Sequence, residues 1–234
     1  MICGLQKMTL LDFPGKVACT VFLGGCNFRC PFCHNSELFM GKPEKLMEDE
    51  AFFQFLAKRK GLLDGVCVSG GEPTLYKDLP AFLAKIKELG FAVKLDTNGS
   101  RPEVVKALVA DKLVDYIAMD VKNSPAMYAQ TVGLEQVDLA AIEESLRFLI
   151  DGNVDYELRT TLVSQLHSDA SIQDMGQWLG FLVTEKKPNK LFLQSFVDRD
   201  TVLFAGLSAP EQEVVAEFAK ILAPFAGEVT IRNP

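Results

Sequence analysis

Cys26, Cys30 and Cys33 carry the chemistry most plainly legible in this sequence. They stand at Cys-x3-Cys-x2-Cys spacing within Gly24-Gly25-Cys26-Asn27-Phe28-Arg29-Cys30-Pro31-Phe32-Cys33-His34-Asn35. Thiolates this close together serve best as metal or cluster ligands. A [4Fe–4S] cluster is normally held by four cysteines, so three with no evident fourth leave one iron open to something other than protein. The alternative is a structural zinc knuckle with His34 as fourth ligand, although His34 directly follows Cys33 and is awkward for the same tetrahedral ion. Cys19 and Cys67 lie in apolar strand patterns and read as buried small hydrophobes; Cys3 has no assignment. No cysteine follows Cys67, so the rest of this sequence offers no thiolates for a second cluster.

The remaining candidates stand where predicted strands end. Val17–Leu23 is an apolar, β-branched run that closes on Gly24-Gly25. Residues 65–69 form a second strand closing on Gly70-Gly71-Glu72-Pro73. Phe91–Leu95 is a third, ending at Asp96-Thr97-Asn98-Gly99. Residues 114–119 form a fourth, ending at Asp120-Val121-Lys122-Asn123. Asp155–Val163 is a fifth and contains Arg159, and Lys190–Phe196 is a sixth. Glycines without a Cβ allow close approach of backbone to a ligand. Asp96 and Asp120, at the ends of adjacent strands, would converge, and two close carboxylates need a cation or a proton between them.

Helical patterns alternate with these strands. Residues 48–60 place Phe52, Phe53, Leu56 and Ala57 on one face, with Gly61 as C-cap. Further helices are predicted over 78–89, stopped by Gly90; over 101–111, with Pro102 in the first turn; and over 139–150, 172–184 with Trp178, and 211–222. Residues 228–231 read as a short terminal strand. Residues 123–138 have the weakest periodicity and read as a loop with a helical piece around 126–130, at a partner surface.

Six βα units predict an α/β fold with mostly parallel strands. Polar groups drawn from the carboxyl ends of several strands favour a barrel over a doubly wound sheet with one switch point. The expected architecture is a partial (β/α)6 TIM-like barrel, open on one side and able to admit a protein loop. It forms one domain over 1–234, with a core of about 16–200 and a terminal helix and strand in 209–232.

The net charge of -7 and pI near 5.0 argue against a nucleic-acid partner. No apolar run reaches the roughly 18 residues of a membrane span, and the first residues show no apolar signal-peptide core. The expected setting is the cytoplasm, whose reducing conditions favour metal or catalytic cysteines over disulfides.

The cysteine motif, with Phe32 before its last cysteine and Gly70-Gly71-Glu72 after the next strand, resembles the radical S-adenosylmethionine (SAM) superfamily. The resemblance implies that Cys26, Cys30 and Cys33 bind three irons of a [4Fe–4S] cluster and that SAM chelates the fourth. It implies SAM contacts or second-shell contacts from Phe32, His34, Asn35, Gly70, Gly71, Glu72, Asp96, Thr97, Asn98, Asp120, Lys122 and Arg159. It further implies a monovalent cation (Na+ or K+) held by Asp96, Thr97 and Asp120, as in pyruvate formate-lyase activating enzyme. Cys33-His34-Asn35, Leu95-Asp96-Thr97-Asn98-Gly99 and Asp120-Val121-Lys122 resemble glycyl-radical-enzyme activases. The opening residues 4–16 and the segment Met119–Gly133 look like the activating protein of anaerobic (class III) ribonucleoside-triphosphate reductase. Only 31 residues separate Cys33 from Gly65, none of them cysteine, so the ferredoxin-like insert of many activases has no place here. The implied partners are a glycyl radical enzyme, namely that reductase, and flavodoxin or ferredoxin as electron donor. The alternatives are a formate-lyase-type activase and a small-molecule enzyme of the carboxydeazaguanine synthase type.

Overall fold

A computed structural model of the chain describes residues 1–41, 44–182 and 186–232. Eight strands form one sheet in the order β1-β2-β3-β4-β5-β6-β7-β8. They are β1 (Ile2–Thr9), β2 (Ala18–Leu23), β3 (Gly65–Gly70), β4 (Ala92–Thr97), β5 (Tyr116–Asp120), β6 (Asp155–Leu162), β7 (Lys190–Ser195) and β8 (Glu228–Arg232). The helices are α1 (Asp49–Ala57), α2 (Leu79–Glu88), α3 (Pro102–Ala110), α4 (Pro125–Thr131), α5 (Leu139–Ile150), α6 (Asp169–Leu182) and α7 (Gln212–Leu222). The pairs β2–β3, β3–β4, β6–β7 and β7–β8 are parallel. Spatial order follows chain order throughout, so the sheet has no switch point of the doubly wound kind. Among the described residues the order begins at β1 and ends at β8, an open sheet, as the pattern of βα units predicts.

The described residues form two compact units. The first comprises Met1–Asn27, Asn35–Thr97 and Arg101–Ala118; the second comprises Phe28–His34, Asn98–Ser100 and the chain from Met119 onward. In the first, Val21, Val66, Val68, Val93 and Leu95 are buried, as are Phe52 and Leu56 of α1 and Phe82, Leu83 and Ile86 of α2. Phe52 stacks on Phe82 with ring centroids 5.5 Å apart. In the second, the Tyr128 ring meets Trp178 edge-on at 6.1 Å, and Trp178 Nε1 donates to Glu143 at 2.8 Å. Arg232 of β8 donates two hydrogen bonds to the buried Glu157 of β6, at 2.9 and 2.7 Å, and its guanidinium lies 3.5 Å above the Phe192 ring.

Several boundaries differ from the sequence pattern. Strand β1 is not anticipated; it pairs antiparallel to β2 with register shifts, and those irregularities erase the alternation that would reveal it. Strand β4 runs on to include Asp96 and Thr97. Ala57 is exposed, and α1 ends at Ala57 with Lys58 as its C-cap, short of Gly61. The end of the helix predicted over 172–184 falls on Val183 and Thr184, outside the described residues. Residues 125–131 form a helix, α4, whose Tyr128 and Thr131 are fully buried, so this side of the segment is core rather than a partner surface. Among the described residues no helix is long and apolar enough to cross a membrane.

Candidate active site

In the first unit the glycine loop after β3 is built directly on the start of the cysteine loop. The Gly71 N–H donates to Leu23 O at 2.9 Å, and the Glu72 N–H donates to Gly25 O at 2.7 Å. Gly70 has φ +132, and a Cβ there would collide with the Leu23 backbone; one on Gly71 would collide with the Gly25 carbonyl and press on the Cys26 Cβ. Only glycine fits either place. Asn35 Nδ2 donates a long, weak hydrogen bond to Gly70 O at 3.4 Å.

Glu72 is 1% exposed. Its Oε1 accepts from Thr74 N at 3.1 Å, Thr74 Oγ1 at 2.5 Å and Thr97 Oγ1 at 2.8 Å. That carboxylate oxygen therefore ties the glycine loop to the end of β4. Asp96, two residues before Asn98, accepts from the buried ammonium of Lys94, which also lies 3.8 Å from Cys67 Sγ. Cys67 and Cys19 are buried, as their strand positions predict. Lys94 was legible only as a charge inside an apolar run, and the sequence pattern gives it no role.

In the second unit the rest of the cysteine loop rests on the turn after α4. Arg29 N donates to Val132 O at 2.8 Å, and a Cβ on Gly133 (φ +68) would collide with Arg29 O. Cys33 N donates to Cys30 O at 3.1 Å, closing a turn in which Cys30 and Phe32 are buried. The His34 Nε2 hydrogen-bonds to Val197 O at 2.6 Å, its ring lies 5.6 Å from Phe196, and its carbonyl accepts from Thr201 Oγ1 at 2.7 Å. Burial lowers the His34 pKa, so the neutral ring is the donor to that carbonyl, and this nitrogen is committed to the β7–α7 loop. Among the described residues no three His, Cys, Asp or Glu side chains are set as the shell of a single metal ion. Asn98 Oδ1 accepts from Ser100 N at 3.0 Å, bracing its turn.

Asp120, the last residue of β5, is the centre of the strongest polar group. Its Oδ1 accepts from Arg159 Nε at 3.0 Å and its Oδ2 from Lys122 Nζ at 2.9 Å. Burial alone would raise its carboxyl, but the Arg159 and Lys122 cations hold it at about 2. Burial works against the Lys122 charge too, yet Asp120, followed by Cys30, raises its pKa above the usual lysine range. The charges of Lys122 and Cys30 act on one another, and a cation's field favours the thiolate that a cluster needs. His167, which the sequence pattern gives no role, supports this group from behind. Its Nδ1 accepts from Val163 N at 3.1 Å, leaving Nε2–H to donate to Lys122 O at 3.0 Å. Asn123, fully buried, donates to Thr131 Oγ1 at 3.0 Å and Leu166 O at 2.8 Å.

In the first unit a glycine loop and carboxylates stand at the carboxyl ends of β3 and β4, and in the second a carboxylate with two cations stands at the end of β5 and in β6; polar groups at strand ends are the habit of the (β/α) class of enzymes. The radical SAM superfamily model matches residues 20–177. A protein of Methanocaldococcus jannaschii that bears the name of a glycyl-radical enzyme activating enzyme is 33% identical over 242 residues, covering 100% of this chain and 96% of its own. A pyruvate formate-lyase-activating enzyme of Listeria monocytogenes is 28% identical, covering 93% and 94%. The structure of a domain of pyruvate-formate lyase-activating enzyme from Bacteroides vulgatus superposes with a TM-score of 0.56 at 20% identity, covering 72% of this chain and 98% of that one. This chain belongs to the radical SAM superfamily, with the glycyl-radical enzyme activating enzymes as its kin. Membership implies SAM and a [4Fe–4S] cluster as its cofactors. The residues present fit them: three soft thiolate donors, a lysine whose charge acts on Cys30, and a glycine loop that leaves no room for side chains against Cys26.

Proposed function

We propose that this enzyme installs a glycyl radical by taking hydrogen from a glycine Cα of a partner enzyme, and that the partner is an anaerobic ribonucleoside-triphosphate reductase. The observation that carries the reading is the match over 100% of this chain to a relative named for that activity class, with no cysteine-bearing insert between Cys33 and Gly65. The resemblance of residues 4–16 and Met119–Gly133 to reductase activases supports the partner. The electron donor would be a flavodoxin or ferredoxin, and the setting the cytoplasm. Residues 1–234 would act as one domain; the unbroken strand order β1 to β8 supports this.

When bound, the reduced cluster would supply the single electron for reductive cleavage of a sulfur–carbon bond of SAM, the source of the hydrogen-abstracting power. Cys26, Cys30 and Cys33 would ligate the cluster. Gly70, Gly71 and Glu72 would meet the methionine amino group, the glycines offering bare backbone and Glu72 being tied to Thr74 and Thr97. Lys122 and Arg159, held by Asp120, would face the SAM carboxylate or ribose. Phe32, His34, Asn35 and Asn98 would shape the walls. The monovalent cation that the resemblance implies among Asp96, Thr97 and Asp120 would have to compete with Lys94, Lys122 and Arg159, which already bring positive charge to these carboxylates.

The test is anoxic electron paramagnetic resonance on reduced, cluster-loaded enzyme with SAM and the candidate reductase. A glycyl doublet on the reductase is expected. Glycyl signal only on a formate-lyase-type partner would reassign the partner. SAM turnover that needs a soluble metabolite, with no glycyl signal on any partner, would make this a small-molecule enzyme instead.

A further inference from the structure

Strand β4 buries a charge in its middle. Lys94 is 1% exposed, yet the residues on either side of it, Val93 and Leu95, are apolar and fully buried. Alternation puts Lys94 and Asp96 on the opposite face of the strand from those two, and the parallel register sets Lys94 beside Cys67 of β3. The ammonium is ion-paired with the Asp96 carboxylate and lies 3.8 Å from the Cys67 sulfur. A buried ammonium is costly unless it is paired, and Leu or Met would fill the same volume at no such cost. The cation is therefore to be explained by what it does for Asp96. Glu72, buried in the same unit, takes hydrogen bonds from Thr74 and Thr97.

We propose that Lys94 is the built-in counterion of Asp96. A covalently tethered ammonium keeps the carboxylate ionised and fixed at the carboxyl end of β4, where family resemblance would place a sodium or potassium ion. Lys94 is then a positioning residue, acting through Asp96, and the enzyme needs no alkali cation at this point. The inference rests on the reading of Asp96 as part of the SAM site. The salt dependence of folding tests it whether or not that reading holds.

The experiment compares the full-length chain, purified under anoxia, with Lys94→Met and Lys94→Arg. Each is studied in potassium, sodium and tetramethylammonium chloride at equal ionic strength, reading thermal midpoint and, after cluster reconstitution, SAM affinity by calorimetry. The wild-type midpoint should be the same in all three salts. Lys94→Met should melt lower by on the order of 10 °C and bind SAM about tenfold more weakly, about 1.4 kcal/mol. Potassium or sodium should restore part of both losses, tetramethylammonium should not, and Lys94→Arg should need no rescue. A wild-type midpoint or affinity that rises selectively with potassium or sodium would overturn the proposal. So would a Lys94→Met loss that no small cation repairs, or no loss at all. If Lys94→Met does not fold, the wild-type salt series decides alone. If the wild type binds no SAM, the functional reading fails while the midpoints still judge Lys94.

Discussion

Arg159 Nε lies 3.0 Å from Oδ1 of Asp120, although 39 residues separate them in the chain. The bond joins the middle of β6 to the last residue of β5. With Lys122 on the other carboxylate oxygen, two cations are fixed around one anion by charge-assisted hydrogen bonds.

The first expectation concerns pH. The Asp120 pKa is depressed to about 2 in the folded chain, against roughly 3.9 for an unperturbed Asp. A depressed carboxyl stabilises the fold above its unfolded pKa, and that stability is lost as pH falls through the folded one. Asp120→Asn should therefore lower stability by on the order of 1–2 kcal/mol at neutral pH, since its side chain is 31% exposed and partly screened. The difference from wild type should shrink between about pH 4 and pH 2. Urea unfolding at a series of pH values measures it, and a difference that does not vary with pH would contradict the pairing.

Cys30→Ala should leave a folded chain that takes up no stable [4Fe–4S] cluster. Cys30 is buried and interacts electrostatically with Lys122, and alanine removes a ligand while adding no bulk. Visible absorbance after iron and sulfide reconstitution should be lost, and SAM cleavage with it, with little change in circular dichroism. A structural zinc site would show the reverse, with lost stability and no cluster absorbance in the wild type.

Gly133→Ala should be strongly destabilising, by about 3 kcal/mol or more. The backbone there has φ +68, and the added methyl would run into the Arg29 carbonyl; the left-handed conformation alone costs roughly 1–2 kcal/mol. Because Arg29 precedes Cys30, the same variant should also lower cluster occupancy. Denaturant unfolding and iron content check the two effects separately. Gly152→Ala is the control, since its φ is +86 but nothing stands within reach of a Cβ there, and its cost should be confined to the backbone.

Arg232→Ala should destabilise by on the order of 3 kcal/mol. It strips both guanidinium hydrogen bonds from Glu157, whose side chain is 1% exposed, and removes the cation from the face of Phe192. Glu157→Gln in the same background should recover part of the loss, because a neutral amide is cheaper to bury than an unpaired carboxylate. Failure of that rescue in thermal unfolding would show that the loss comes from the lost stacking.

The strands and helices were legible because their periodicity is strong. The limits of α5, Leu139–Ile150, agree with its apolar spacing residue for residue; Pro102 stands in the first turn of α3 and Gly90 follows the end of α2, as predicted. Strand β1 was hidden because its bulged pairing breaks alternation. Helix α4 was read as a surface piece because seven residues carry too little periodicity to reveal which side is buried.

The sequence alone determined which atoms are available: three thiols at cluster spacing, a glycine pair after the next strand, and acidic residues at strand ends. These are matters of local order, because ligand identity, turn-forming glycine and the βα rhythm are written in neighbouring residues. Tertiary structure decided which charges meet. Lys94 with Cys67, Thr97 with Glu72, Arg159 with Asp120 and His34 with Val197 are brought together by strand register and loop packing over tens of residues. Such pairings depend on burial and on distances between strands, which no local pattern encodes. They tie Glu72 to the end of β4 as well as to its own loop, and turn Lys94 from an unremarked strand residue into a buried counter-charge.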